Sequence, residues 1–281
     1  MKLARAVSSW LLAALCLIFA FPLLVMVMTS LKSLAQINEG SLLSPVRHPT
    51  LAAWASAWDR TCIGGTCHGI STGIVNSLAI VIPALAISLC LGSITGFALS
   101  LRTSRYANLL FTLLLVGLFI PMQVTLYPMI VALRELRLFG TRSGLVMVHV
   151  IWGLPLLSLL FRNFFLSVPR GVLNAARIDG VGFFGIFWGV ALPISAPICV
   201  AAVVLQFTFL WNDFFLGLIF SGSGNEPVTV ALNVLVGAQL GPQQYNINMA
   251  AAMIAAAPTI LLYLLTNRLF TRGVTVMRHH G

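Results

Sequence analysis

Six apolar runs dominate the chain, at roughly 10–29, 73–99, 107–130, 144–165, 195–220 and 247–270. About 20 predominantly apolar residues cross a bilayer as a helix, so each run predicts one transmembrane span. The first run follows Lys2 and Arg5, as a secretory signal would. It is too long for a signal's apolar core and no small-x-small site follows, so an uncleaved helix is expected. Leu15 is too bulky before Cys16 for lipoprotein processing.

Composition agrees. The chain has 281 residues, 59% of them hydrophobic and only 8% charged. A soluble domain carries about a quarter charged residues, so this surface faces lipid. The net charge of +10 is spread singly between apolar runs, with no basic stripe interleaved with aromatics, so nucleic acid is not an expected partner. Six spans put both termini on one side. A cytoplasmic placement leaves ten basic residues inside (Lys2, Arg5, Arg102, Arg105, Arg162, Arg170, Arg177, Arg268, Arg272 and Arg278) and six outside (Lys32, Arg47, Arg60, Arg134, Arg137 and Arg142). The positive-inside rule favours that orientation.

Between the fourth and fifth runs lies NAARIDGVGFFGIFWGVALP, residues 174–193. Pro169 suits the first turn of a helix over 172–178, and Gly180 suits its left-handed terminus. A second helical stretch over 183–190 is expected to stop before Pro193. Small residues at the tip, Ala175 and Ala176, let another protein's backbone come close. An interfacial loop without a partner explains the same pattern.

The segment also resembles the EAA loop of binding-protein-dependent ABC import permeases. There Glu-Ala-Ala is followed by three residues, Gly, nine residues and Ile-x-Leu-Pro. Here Asn174-Ala175-Ala176, Gly180 and Val190-Ala191-Leu192-Pro193 stand at that spacing, with Asn174 in place of Glu and Val190 in place of Ile. Asn174 keeps a polar group and loses the charge. PRGVLNAARIDG, FLWNDFF, PVTVALNVLV and YNINMAAAMIAAAPTILLY extend the resemblance to the second permease subunit of the carbohydrate-uptake branch. DRTCIGGTCHG and FSGSGNEPVTVALN are similar to permeases of bacterial glucose/mannose importers.

The resemblance implies an all-α integral protein of the inner membrane, with the six-span ABC type-1 importer transmembrane domain. Residues 1–70 would hold the first span and outer loop, 71–270 the permease domain, and 271–281 a cytoplasmic tail. The loop 167–193 would be the coupling helix, with Asn174, Ala175, Ala176, Asp179, Gly180 and Pro193 docking on a cytoplasmic ATPase. Implied partners are a homologous second permease, two ATPase subunits and an extracytoplasmic sugar-binding protein, besides membrane lipid. ATP and Mg would sit on the ATPase. The only lysines, Lys2 and Lys32, follow no glycine, so this chain lacks the G-x-x-x-x-G-K-[ST] phosphate loop. It is expected to bind no cofactor or metal and to perform no covalent chemistry.

A charge in lipid is costly, so Asp213 should face a cavity or partner; a helix-bundle contact with backbone or Asn212 is the plainer alternative. Gln206, two turns earlier, can face the same way. Gln123 and Tyr127 flank a stretch expected to be broken by Pro121 and Pro128, which would free carbonyls along a sugar path. His149 could join that path or bond a neighbouring helix. Cys62 and Cys67, around Gly64 and Gly65, suit a disulfide in an oxidising outer compartment. Zinc held by Cys62, Cys67 and His68 would lack a fourth ligand nearby. Cys16, Cys90 and Cys199 read as small apolar packing residues.

Two rivals stand beside an ABC sugar permease: an ion-coupled secondary transporter, and an ABC permease for a different sugar. One clear acid in the spans, with no proton relay and no inverted repeat, argues against ion coupling. No nucleophile–base pair or metal cluster suggests a membrane enzyme.

Overall fold

The structure is a computed structural model that describes residues 2–41, 43–62, 67–101, 104–237 and 243–277, side chains included from 7 to 266. Gly64, Gly65, Arg102 and Arg278 lie outside the described residues, as do the side chains of Lys2, Arg5, Arg268 and Arg272.

Among the described residues, four helices are long and apolar enough to cross a membrane: Val7–Ser30, Ser71–Leu101, Arg142–Ser167 and Tyr245–Thr266. These are the first, second, fourth and sixth predicted spans. The third is a bent helix pair, and the fifth overlaps only the second half of another, Phe183–Ile194 with Ala196–Asn212; the total is six if each pair counts as one span. Arg105–Phe119 and Met122–Glu135 meet at 106°. Ile120 is extended (φ −69°, ψ 123°) because the ring of Pro121 disfavours helical backbone in the residue before it. Pro128 does not break the run as expected; it lies inside Met122–Glu135, as Pro22, Pro83, Pro155 and Pro258 lie inside other helices.

The fifth run also departs from expectation. The helix Ala196–Asn212 ends before Asp213, and a separate short helix covers Phe215–Phe220. Ahead of it, Phe183–Ile194 is helical and bends by 80° at Ser195. That segment does not stop before Pro193. A π turn over Phe187–Ala191 carries hydrogen bonds five residues back, with Leu192 N–H donating to Phe187 O, and so accommodates the proline's missing donor.

The chain divides into two compact units, 1–74 with 230–258, and 75–229 with 259–281. In the first, Lys32 is buried and its Nζ donates to Ser44 Oγ at 3.3 Å, while Asn246 Nδ2 donates to the Lys32 carbonyl at 3.2 Å. Trp54 Nε1 donates to Ser30 Oγ at 3.2 Å, and Cys62 is disulfide-bonded to Cys67. Cys16 and Cys90 are exposed on their helices rather than packed; only Cys199 adjoins a core.

Among its described residues the second unit has two apolar cores. One joins Ile80, Leu133, Leu145, Val148, Leu216 and Phe220. The other packs Phe97, Leu157, Phe161 and Phe165 against Leu173, Ile186, Phe187 and Ala191 of the 167–193 loop. Gly92 and Gly96 make this possible. A Cβ at Gly92 would lie 2.6 Å from Leu157 Cβ, and one at Gly96 2.6 Å from Phe161 Cβ and 2.7 Å from Arg162 N. In lipid, where hydrophobic exclusion cannot drive helices together, small residues four apart permit the close approach that does.

Candidate functional site

The loop 167–193 is anchored on one side and bare on the other. Ser167 and Val168 close the fourth span, and Pro169 stands immediately ahead of the helix Arg170–Ile178. Leu173 turns inward and is buried, with Ala176 half-buried beside it against the same core. Arg170, Asn174, Ala175, Arg177, Ile178 and Asp179 are exposed. The paired alanines therefore divide their roles: Ala175 is open to an approaching surface, and Ala176 packs on its own protein. Asp179 N–H donates to Ala175 O at 3.2 Å, and Val181 N–H to Ala176 O at 3.1 Å across the turn. Gly180 takes φ +78°, the left-handed conformation its position predicted. Exposed Val172, Ile178, Val181, Phe184 and Trp188 add apolar surface around the turn. Pro193 is exposed at the loop's far end. Phe97 fixes the inner face, its ring 5.2 Å from that of Phe165 and 5.6 Å from that of Phe187.

The polar residues expected along the sugar path fall into a buried group and an exposed one. His149 and Gln206 are buried within the second unit, on the fourth and fifth spans. Gln206 lies directly on Gly153, where any Cβ would collide with its amide. One turn earlier on the fourth span, His149 Nε2 is 3.9 Å from Asp213 Oδ2. Gln206 and Asp213 thus follow one line along the fourth span, as their spacing suggested. His149 Nδ1 and Gln206 Nε2 have no hydrogen-bond partner among the described residues. Asp213 turns its carboxylate to backbone: Leu216 N–H donates to Oδ1 at 3.2 Å and Gly217 N–H to Oδ2 at 2.9 Å. Among the described residues no hydrogen bond joins Asn212 to it; Asn212 Nδ2 donates to Thr208 O at 3.0 Å. Gln123 and Tyr127 are exposed on one face of Met122–Glu135, and no hydrogen bond joins them to the buried group among the described residues.

A set of residues that the sequence reading passed over holds the segment 222–228. Asn76 Nδ2 donates to the carbonyls of Gly224 and Glu226, both at 3.0 Å, and Val228 N–H donates to Ser77 Oγ at 2.8 Å. Asn225 Nδ2 and Gly222 N–H both donate to Gly140 O, at 3.0 and 3.1 Å. An Asn-Ser pair opening an apolar helix was the available signal, because a polar pair there needs partners.

The sequence matches the family described as binding-protein-dependent transport system inner membrane component, over residues 69–275. The chain belongs to this family. Its match spans the 167–193 loop and every polar residue above. Among its relatives, the osmoprotective compounds uptake permease protein GgtD of Synechocystis is 32% identical over 208 residues, covering 73% of this chain and 69% of that protein. The glucose import system permease protein GlcU of Saccharolobus solfataricus is 26% identical over 278 residues, covering 96% and 93%. A solved chain from a bacterial ABC transporter involved in import of the acidic polysaccharide alginate superposes with a TM-score of 0.81 at 19% identity, covering 96% of this chain and 97% of that one. The shared fold is that of an ABC importer transmembrane domain. The protein is a multi-pass permease subunit and not an enzyme.

Proposed function

We propose that this permease subunit imports a sugar, with glucose or mannose as the first substrates to test. It forms half of the transmembrane path beside a homologous permease, with both termini in the cytoplasm. A binding protein delivers the sugar outside, and two separate ATPase subunits dock inside, where ATP and Mg are bound. The observation that carries this reading is the loop 167–193: its inner face is built into the core, and its outer face presents Ala175 and the Gly180 turn. An anchored helix with a bare face can transmit a push from a docked partner to the spans. Relatives named for glucose and alginate import support a carbohydrate substrate. The ten-to-six basic asymmetry supports the orientation.

Asn174, Ala175, Asp179, Gly180 and Pro193 shape the docking surface, and Ala176 seats the helix on the core beneath it. For the sugar path, exposed Gln123, Tyr127 and Asn212 are the accessible candidates, whereas His149, Gln206 and Asp213 set the contact between the fourth and fifth spans from within. The test is a reconstituted transporter containing both permeases, the ATPase and the binding protein. Glucose- or mannose-loaded binding protein should stimulate ATP hydrolysis and uptake without any ion gradient. Uptake that follows an ion gradient and ignores ATP would refute the reading.

A further inference from the structure

We infer that the cleft beside the loop helix is a carboxylate receptor, in which Arg170, Asn174 and Arg177 hold an Asp or Glu side chain of the ATPase partner. The inference rests on the coupling function proposed above and names the chemistry of its contact. The three residues stand at i, i+4 and i+7 of the helix Arg170–Ile178 and so share one face. Together with Ser100, Phe165 and Leu173 they line a cleft of about 90 Å³. Phe165 and Leu173 are buried and fix its back wall. Ser100 Oγ is already committed as a donor to Phe97 O, at 2.7 Å.

Among the described residues, no acidic residue lines this cleft and neither guanidinium makes an ion pair. The rim is therefore rich in donors and positively charged: two guanidinium forks with an amide between them. A carboxylate is the group such forks bind in pairs of parallel hydrogen bonds. The Asn at 174 matters here. A Glu at that position, as in the EAA pattern, would put a carboxylate on the cleft's own rim, whereas Asn leaves the two cations to be met from outside. Arg170, Asn174 and Arg177 are exposed on the same nine-residue helix as Ala175, so a subunit that docks on that helix is within reach of the cleft.

The experiment uses the reconstituted permease pair in detergent, titrated with its purified ATPase at low and high salt. Arg170→Gln with Arg177→Gln should weaken ATPase binding roughly fivefold at low salt, as two exposed ion pairs would, and flatten the salt dependence. Arg177→Lys, which keeps the charge, should lose less. Asn174→Glu should weaken binding comparably by engaging the arginines from within. Parental affinity and salt dependence in both the double variant and Asn174→Glu overturn the inference while leaving the coupling reading intact. Failure of the parent itself to bind the ATPase would overturn the coupling reading instead. Variants that match the parent in detergent and differ only in nanodiscs containing anionic phospholipid would assign the cleft to a lipid phosphate, which also overturns it.

Discussion

Gly180 offers a clean separation of backbone strain from steric clash. Its φ is +78°, and nothing stands within 4 Å of the position a Cβ would occupy. A side chain there is opposed by the left-handed backbone alone, at about 1–2 kcal/mol. That energy reduces the population of the docking geometry roughly 5- to 30-fold, and the apparent ATPase affinity falls by the same factor. Gly180→Asn should lose least because Asn tolerates left-handed backbone, Gly180→Ala more, and Gly180→Val most. The permease pair would be titrated with purified ATPase, and hydrolysis stimulated by the loaded binding protein measured on the same samples. Membrane insertion and thermal stability should stay parental, because no neighbour is displaced. Parental affinity and coupling in Gly180→Val would refute the argument. A Gly180→Val protein that fails to insert would refute it differently, by showing that the glycine serves packing.

Other substitutions probe the remaining contacts. Ala175→Trp should abolish ATPase retention at parental stability, whereas Ala176→Trp should lower the melting temperature through its own core; the reverse pattern would invert the assigned faces. Asp213→Asn keeps one acceptor for the N–H groups of Leu216 and Gly217, while Asp213→Leu leaves both unpaired at about 1–3 kcal/mol each. Uptake and thermal stability should therefore fall further with Leu, and equal, parental behaviour in both would exclude the capping role. Gly96→Leu should prevent the second and fourth spans from closing and cause loss of folded protein in detergent, which fluorescence-detected size exclusion would report. Cys62 and Cys67 should resist a membrane-impermeant maleimide until reduced, and labelling of both without reductant would show that the disulfide is absent.

How much of this was legible depends on what each element answers to. An apolar run of span length has one cheap solution in a bilayer, so four helices emerge where hydropathy puts them. The bends do not follow from residue type. Pro121 ends a helix while Pro22, Pro83, Pro128, Pro155 and Pro258 are absorbed into theirs. Each proline removes one donor, and that loss alone does not end a helix. The Gly180 turn was readable because a positive φ leaves few residue types to choose from. The glycines of GSITG, 92–96, carried a readable small-residue spacing that apolar run length alone obscured.

Asp213 shows why residue roles are harder to read than spans. A lone acid in an apolar run looks like a pathway residue because charge in lipid demands an explanation. The fold supplies one locally. The helix ends at Asn212, a new helix begins at Phe215, and its first N–H groups have no carbonyl behind them. The carboxylate takes the place of that missing turn by accepting from Leu216 and Gly217, while its own backbone carbonyl accepts from Thr229 Oγ1 at 2.6 Å. The break and the acid are thus one feature, since each would leave groups unsatisfied without the other. His149, 3.9 Å away, stands on the fourth span, Arg142–Ser167, which extended Val168 and Pro169 separate from the loop helix Arg170–Ile178. His149 and Gln206 are therefore buried where the fourth and fifth spans pack, beside an acid whose carboxylate is taken up by the start of a helix.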